Sequence, residues 1–140
     1  VDSENPSVFP VKKLNYYVNK KIIVWLNNVS NIKEVYDNTH IICFPSFREG
    51  NPKALLESAC CQLPIVAYDV AGCNDIIINN KSGFLIPFRD KILMKSALEK
   101  LIKNNKLREE FGLRARDHVI KNFSNKIIHK LYEKEWNDII

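Results

Sequence analysis

Residues 41–68 read IICFPSFREGNPKALLESACCQLPIVAY, and this stretch decides the fold. The continuous apolar run Ile41–Phe44 consists of β-forming residues and predicts a buried strand. A helix follows over Lys53–Cys61, and a second apolar run predicts another strand over Ile65–Tyr68. Strand, helix and strand in this order form a βαβ unit, in which the two strands lie parallel in one sheet.

The same alternation continues on both sides of this unit. Ile22–Leu26 (IIVWL) predicts a buried strand and Phe84–Ile86 a short final one, while helices are predicted at Pro10–Asn19, between the strands, and from residue 90 onwards. The predicted class is therefore α/β, with a Rossmann-like parallel sheet and flanking helices. Because ligands of such sheets bind at the carboxyl ends of the strands, we expect the site at the loop Ser46–Asn51.

This loop leads into a helix start with the features of an anion site. Gly50 is predicted to permit a close backbone approach or a positive φ, and Pro52 suits the first turn of a helix. The N–H groups of Lys53, Ala54 and Leu55 are predicted to lack helical acceptors and to point out of the helix. Together with the helix dipole, these groups suit a pyrophosphate.

Two glutamates bracket the helix start. Glu57 lies five residues past Pro52, about 7–8 Å along the axis, where its carboxylate can accept hydrogen bonds from a vicinal diol such as that of ribose. Glu49, on the loop, would face the other end of the ligand. Two questions stay open. Glu57 also suits a plain surface position favoured by the helix dipole. Arg48, which adjoins Glu49, suits either a phosphate or a carboxylate partner.

The composition argues against two other functions, nucleic-acid binding and structural zinc binding. The 140 residues carry 21 Lys and Arg against 16 Asp and Glu, a net charge of +5. These basic residues are scattered and form no stripe interleaved with aromatic residues, so nucleic-acid binding is not predicted. The four cysteines form no C-x-x-C pair, which argues against a structural zinc site. We expect them to be reduced and buried, as in a cytoplasmic protein.

Glu49 and Glu57, with seven residues between them in PSFREGNPKALLESACCQLPIVA, closely resemble the paired-glutamate motif of retaining glycosyltransferases of the GT-B fold, group 1 or family four. The blocks SENPS, IIVWLNNVSNIKEVYDN, VAGCNDIIINNKSGFLIP and LREEFGLRAR are similar to successive blocks of that family. The resemblance implies that residues 1–140 are an incomplete C-terminal, nucleotide-sugar-binding half of such an enzyme. Residues 1–123 would form the α/β part and residues 124–140 the crossing helix.

The resemblance also implies roles for individual residues. Glu57 would bind the ribose of a nucleotide-diphosphate sugar, and Glu49 would be the catalytic residue, contacting sugar hydroxyls near the reacting carbon. No metal and no cofactor is expected, because such enzymes use the helix dipole and basic side chains instead. Donor sugar and diphosphate would be bound by Arg48, Gly50, Asn51, Pro52, Lys53, Ala54 and Leu55, and the base-side loop would be formed by Asn27, Asn28 and Val29.

The implied function is hexosyl transfer in capsule, exopolysaccharide or lipopolysaccharide biosynthesis, and the alternative is a non-catalytic remnant or nucleotide-sugar-binding module. The resemblance starts after the first two strands of the donor domain, so we expect an N-terminal acceptor domain or a second chain as partner. The apolar face of the last helix would either be exposed or be used in self-association. The location would be cytoplasmic, either free or peripheral at the inner face of the plasma membrane. Asn27 and Gln62 depart from the family pattern, since both stand where a glycine is usual.

Overall fold

The structure, a computed structural model, describes residues 9–137. The chain divides into two compact units, the first ending at Ile32 and the second beginning at Lys33. The expected division between residues 1–123 and 124–140 stays a prediction. The block SENPS and the last three residues of the predicted final helix lie outside the described residues.

The second unit contains a parallel sheet of three strands in the order β1 (Ile42–Phe44), β2 (Ile65–Tyr68) and β3 (Gly83–Ile86). Ile42 lies opposite Ile65, and Val66 lies opposite Phe84. All four residues of the central strand β2 are buried, as its unbroken apolar run predicts. The predicted α/β class with a Rossmann-like parallel sheet is confirmed.

Seven helices occupy the described part of the chain. The helices predicted at Pro10–Asn19 and Lys53–Cys61 are each one residue shorter than predicted. Two helices have side-chain caps: Asp90 accepts from the N–H groups of Ile92 and Leu93, and Asn104 accepts from that of Leu107. The helices are α1 (Val11–Asn19), α2 (Ile32–Asp37), α3 (Lys53–Cys60), α4 (Cys73–Ile76), α5 (Lys91–Lys103), α6 (Asn105–Phe123) and α7 (Asn125–Asn137).

Helices cover the sheet on both faces because β2 alternates its side chains. Ile65 and Ala67 belong to a core cluster with residues of α3, α4 and α6, such as Leu55. Val66 and Tyr68 belong to a second cluster, which includes Leu101 of α5. The period of two along β2 thus divides the interior into two apolar layers, one on each side of the sheet.

The prediction of a buried strand at Ile22–Leu26 is wrong. These residues form no strand, and their side chains are 38–83% exposed. A strand satisfies its backbone N–H and C=O groups only through a neighbour, and among the described residues no strand pairs with this segment. A composition of β-forming residues is therefore not sufficient to make this segment a strand.

The prediction of buried cysteines is only partly right. All four thiols are free, but Cys73 alone is fully buried; Cys61 is half-buried, and Cys43 and Cys60 are exposed. Cys43 lies on β1, an edge strand of the sheet, with its sulfur 4.0 Å from that of Met94. Apolar neighbours in the sequence do not bury a side chain on an edge strand that lacks a neighbour on one side.

Candidate functional site

The loop after β1 lies at the carboxyl ends of the strands and begins on an aromatic cluster. The Phe47 ring stacks on Tyr68, the last residue of β2, with centroids 6.4 Å apart. It also meets Phe88, which follows β3, edge to face at 5.4 Å. The guanidinium of Arg89 lies 5.4 Å from the Phe47 ring and 5.1 Å from Phe88. Side chains from the ends of all three strands thus fix the start of the loop.

The other end of the loop rests on Gly72. That glycine has φ +79°, and a Cβ there would overlap the carbonyl of Gly50 and crowd the ring of Pro52. Gly50, by contrast, is not among the positive-φ residues, and a Cβ on it would meet nothing within 4 Å. The positive φ that we predicted as one option at Gly50 is therefore wrong there and occurs at Gly72 instead.

The N-terminus of α3 presents two of the three predicted N–H groups. Pro52 is the N-cap residue and Lys53 the first helical residue. The N–H of Leu55 donates to the carbonyl of Pro52 at 2.9 Å, so the prediction that it is free is wrong. No backbone carbonyl in the described part of the chain accepts from the N–H of Lys53 or Ala54. An anion at this helix end would therefore meet two backbone donors.

Some of the residues predicted to bind the donor sugar and diphosphate have buried side chains, and the others are exposed. Leu55 is fully buried and Pro52 is buried as well, so neither side chain can line a ligand; both anchor the loop and helix to the core. The exposed members are Arg48, Gly50, Asn51, Lys53 and Ala54. Within residues 9–137 Arg48 forms no ion pair, so its guanidinium has no carboxylate partner there.

Glu57 is half-buried and held from two sides. Its Oε1 lies 3.8 Å from the Nζ of Lys53, one turn earlier on α3. Its Oε2 lies 3.4 Å from the hydroxyl of Tyr36, which comes from α2. Tyr36 was not predicted as a site residue, since nothing in the local sequence pattern shows that its hydroxyl reaches α3. The carboxylate is thus oriented, in contrast to a plain surface glutamate.

Glu49 is half-buried on the loop and lies near the start of α4. Burial raises the pKa of the Cys73 thiol to about 11, and the negative charges of Glu49 and Asp69 contribute to the same shift. Cys73 is therefore a protonated core residue at neutral pH and no nucleophile. Asp69 follows β2 and accepts a hydrogen bond from the side chain of Asn74 at 3.2 Å.

A cavity of about 530 Å³ opens beside this loop, and four of its six lining residues have polar side chains, while the other two are a glycine and a phenylalanine. Across it, the ring of His118 donates from Nε2 to the carbonyl of Asp75 at 3.0 Å, and the amide of Asn122 donates to the carbonyl of His118 at 2.8 Å. Such a lining suits a ligand rich in hydroxyl groups. The lining residues are Gly50, Asn51, Asp75, His118, Asn122 and Phe123.

The predicted base-side residues Asn27, Asn28 and Val29 belong to the first unit, where all three are exposed. Their contact with a base stays a prediction. Asn27 and Gln62 stand where the family usually has glycine, and the backbone explains that preference: Asn27 has φ +52° and Gln62 has φ +59°. Both positions use the left-handed region that glycine adopts most easily.

No group of three or more His, Cys, Asp or Glu side chains within residues 9–137 is arranged to hold a metal ion. No helix in the same range combines the length and the apolar character needed to span a membrane.

Residues 6–118 match the sequence model of the glycosyl transferases group 1 family, and the match includes the whole loop and α3. Among curated proteins, the chain is 30% identical over 118 residues to the capsular polysaccharide biosynthesis glycosyltransferase CapM of Staphylococcus aureus. That alignment covers 84% of this chain and 31% of CapM.

Solved structures share the fold. Sucrose-phosphate synthase from Thermosynechococcus elongatus superposes with a TM-score of 0.82 at 17% identity, covering 92% of this chain and 33% of its own. A variant of S. aureus TarM in complex with fondaparinux, alpha-GlcNAc-glycerol and UDP superposes with a TM-score of 0.79 at 24% identity, covering 88% and 26%. These neighbours are GT-B glycosyltransferases, and the chain spans a quarter to a third of the length of CapM and of these two solved chains.

Proposed function

Because this chain belongs to the group 1 glycosyl transferases, we propose that it binds the nucleotide-diphosphate-sugar donor of a glycosyltransferase at the loop after β1 and the start of α3. One observation carries the proposal. An oriented carboxylate, that of Glu57, lies one turn along a helix whose N-terminus presents backbone donors toward solvent. Diphosphate and ribose need these two kinds of group at this spacing.

The diphosphate is placed at the N-terminus of α3. The N–H groups of Lys53 and Ala54 donate to its oxygens, and the helix dipole favours its negative charge. The exposed side chains of Lys53 and Arg48 add positive charge. In this arrangement the protein balances the diphosphate without a metal, so the dissociation constant for UDP is expected to be the same with EDTA as with Mg²⁺.

The two glutamates divide the rest of the donor between them. Glu57 accepts hydrogen bonds from the ribose hydroxyls, and Glu49 contacts the sugar hydroxyls near the reacting carbon. The negative charge of Glu49 also stabilises the positive charge that develops on the sugar during transfer. Asn51 and the backbone of Gly50 lie between these carboxylates along the chain and complete the sugar side.

For the whole protein we propose hexosyl transfer with retention at the anomeric carbon, in the biosynthesis of a bacterial surface polysaccharide. The similarity to CapM supports the polysaccharide class. The acceptor would bind to an N-terminal domain or a second chain, and the enzyme would work in the cytoplasm, free or at the inner face of the plasma membrane.

The test compares UDP with UDP-sugars, such as UDP-glucose and UDP-N-acetylglucosamine, by calorimetric titration. Glu57→Ala is expected to weaken UDP itself about tenfold, because hydrogen bonds to a charged group are lost. Glu49→Ala should spare UDP and reduce sugar-dependent binding and turnover. Glu99→Ala is a matched control, since Glu99 pairs with Lys95 at the same helical spacing as Glu57 with Lys53.

Equal effects of Glu49→Ala and Glu57→Ala on free UDP would contradict the assignment of roles. Binding of a UDP-sugar by the full gene product without any turnover would leave only the alternative function, that of a nucleotide-sugar-binding module.

A further inference from the structure

Tyr36 is a buried residue of α2 whose hydroxyl reaches into α3. Its side chain is 8% exposed. The hydroxyl lies 3.3 Å from the backbone carbonyl of Ala54 and 3.4 Å from Oε2 of Glu57. The tyrosine therefore touches the proposed donor site at two points while remaining inside the protein.

The phenol has one proton to donate and two acceptors within reach. The carboxylate of Glu57 is charged, and hydrogen bonds to charged acceptors are stronger than those to neutral carbonyls. Lys53 lies 3.8 Å from the other carboxylate oxygen of Glu57, but its side chain is 88% accessible. Tyr36 is thus the buried one of the two groups that contact this carboxylate.

We propose that Tyr36 is a positioning residue for ribose recognition: its hydroxyl fixes the carboxylate of Glu57 in the orientation that accepts the ribose diol. The proposal rests on the proposed function, since it assumes that Glu57 binds ribose. Tyr36 itself contacts no substrate atom. It acts by restricting a side chain with several rotatable bonds before the ligand arrives, which lowers the cost of ordering that side chain on binding.

The protonation state of Tyr36 fits this role. Burial, followed by the negative charge of Glu57 and the hydrogen bond to it, raises the pKa of the phenol above its usual value. The hydroxyl therefore keeps its proton over the whole physiological range. Of the charged residues on α2 itself, Lys33 and Asp37 form an ion pair of 2.6 Å with each other, and Glu34 is exposed.

The experiment measures the dissociation constants of UDP and 2′,3′-dideoxy-UDP by calorimetry, on the full protein and its variants. Tyr36→Phe keeps the ring and removes only the hydroxyl. It is expected to weaken UDP about fivefold, as for one side chain that must be ordered on binding, and to leave dideoxy-UDP unchanged. In a Glu57→Gln background, Tyr36→Phe should have no further effect on UDP, because the two residues then act as one unit.

Tyr132→Phe is the control for removal of a phenol hydroxyl, since Tyr132 lies exposed on α7. Thermal unfolding of each variant monitors folding. Equal weakening of both nucleotides by Tyr36→Phe would show a merely structural role and overturn the proposal, as would unchanged UDP binding.

The two proposals fail in different ways. If Glu57→Gln lowers the affinity for UDP and Tyr36→Phe does not, the positioning role falls and the proposed function stands. If the wild-type protein binds UDP and dideoxy-UDP equally, or Glu57→Gln is silent, ribose recognition by Glu57 is absent and both fall.

Discussion

Two segments of this protein have nearly the same apolar composition and different structures. Ile42–Phe44 forms strand β1, whereas Ile22–Leu26 forms no strand and exposes its side chains. The two segments differ in whether a neighbouring strand pairs with them. Residues of β1 pair with β2, and the N–H of Ile42 also donates to the carbonyl of Pro64 at 3.0 Å. A parallel strand is thus a property of a pair of segments, and composition supplies only one member.

The loops that follow these two segments also differ in the contacts that hold them. After β1, the loop is fixed by the ring of Phe47 on Tyr68 and by the contact between Gly50 and Gly72. After Leu26, the chain turns at Asn27, which holds φ +52°. The first loop is specified by tertiary contacts and the second by local backbone geometry.

The largest expected difference is in core packing. Ile65→Ala, in the strand that pairs with β1, removes a fully buried side chain and should lower the free energy of unfolding by about 3 kcal/mol. Ile22→Ala makes the same chemical change at a side chain that is 63% exposed, and should cost less than about 0.5 kcal/mol. Urea denaturation of both variants measures the difference. A large cost for Ile22→Ala would show that this segment is packed in the protein.

A second pair of variants tests how the loop after β1 is held. Gly72→Ala must place a Cβ against the carbonyl of Gly50 at φ +79°, so we expect a loss of about 2 kcal/mol in stability together with weaker UDP binding. Gly50→Ala meets no atom within 4 Å and needs no positive φ, so stability should change by less than about 0.5 kcal/mol. Equal losses for the two variants would contradict the assignment of the backbone requirement to Gly72.

These contrasts show which parts of the molecule could be predicted. The placement of Glu49 on the loop and of Glu57 on α3 was predictable, because a strand, a loop and a helix start are local patterns whose order along the chain fixes the edge of the sheet; their roles in binding stay predictions. Gly72 and Tyr36 were not identifiable, because their roles depend on contacts with segments 18 or more residues away. The strand predicted at Ile22–Leu26 failed for the same reason, because the sequence of a segment does not show whether a neighbouring strand will pair with it.

A buried thiol beside the loop after β1 gives that region a pH signature. The pKa of Cys73 is raised from 9.0 to about 11, so the folded state favours the protonated thiol. This stabilising contribution is complete below about pH 9 and is lost as the pH rises to about 11. The melting temperature of the wild type should therefore fall more steeply over this interval than that of Cys73→Ala. Parallel curves would show that the thiol titrates normally.

The smallest effects concern the left-handed residues. Gln62 ends α3 in a Schellman motif: its N–H donates to Ala59, and the N–H of Leu63 donates to Ser58. Gln62→Gly should stabilise the protein by about 0.5–1 kcal/mol, since it removes left-handed strain. Asn27→Gly should gain only about 0.3 kcal/mol, because asparagine tolerates this geometry. Thermal unfolding ranks the two, and a reversed order would place the greater strain in the first unit.

The open side of β1 has a consequence for handling the protein. Among residues 9–137 no strand pairs with that edge, so its N–H and C=O groups are available to any extended segment presented to them. Strand addition between molecules is the usual route from such an edge to aggregates. Two features oppose it here: β1 has only three residues, and the net charge of +5 makes the molecules repel each other. Colloidal stability of these 140 residues should therefore fall as salt is added or as the pH approaches 9.0, the isoelectric point of the sequence.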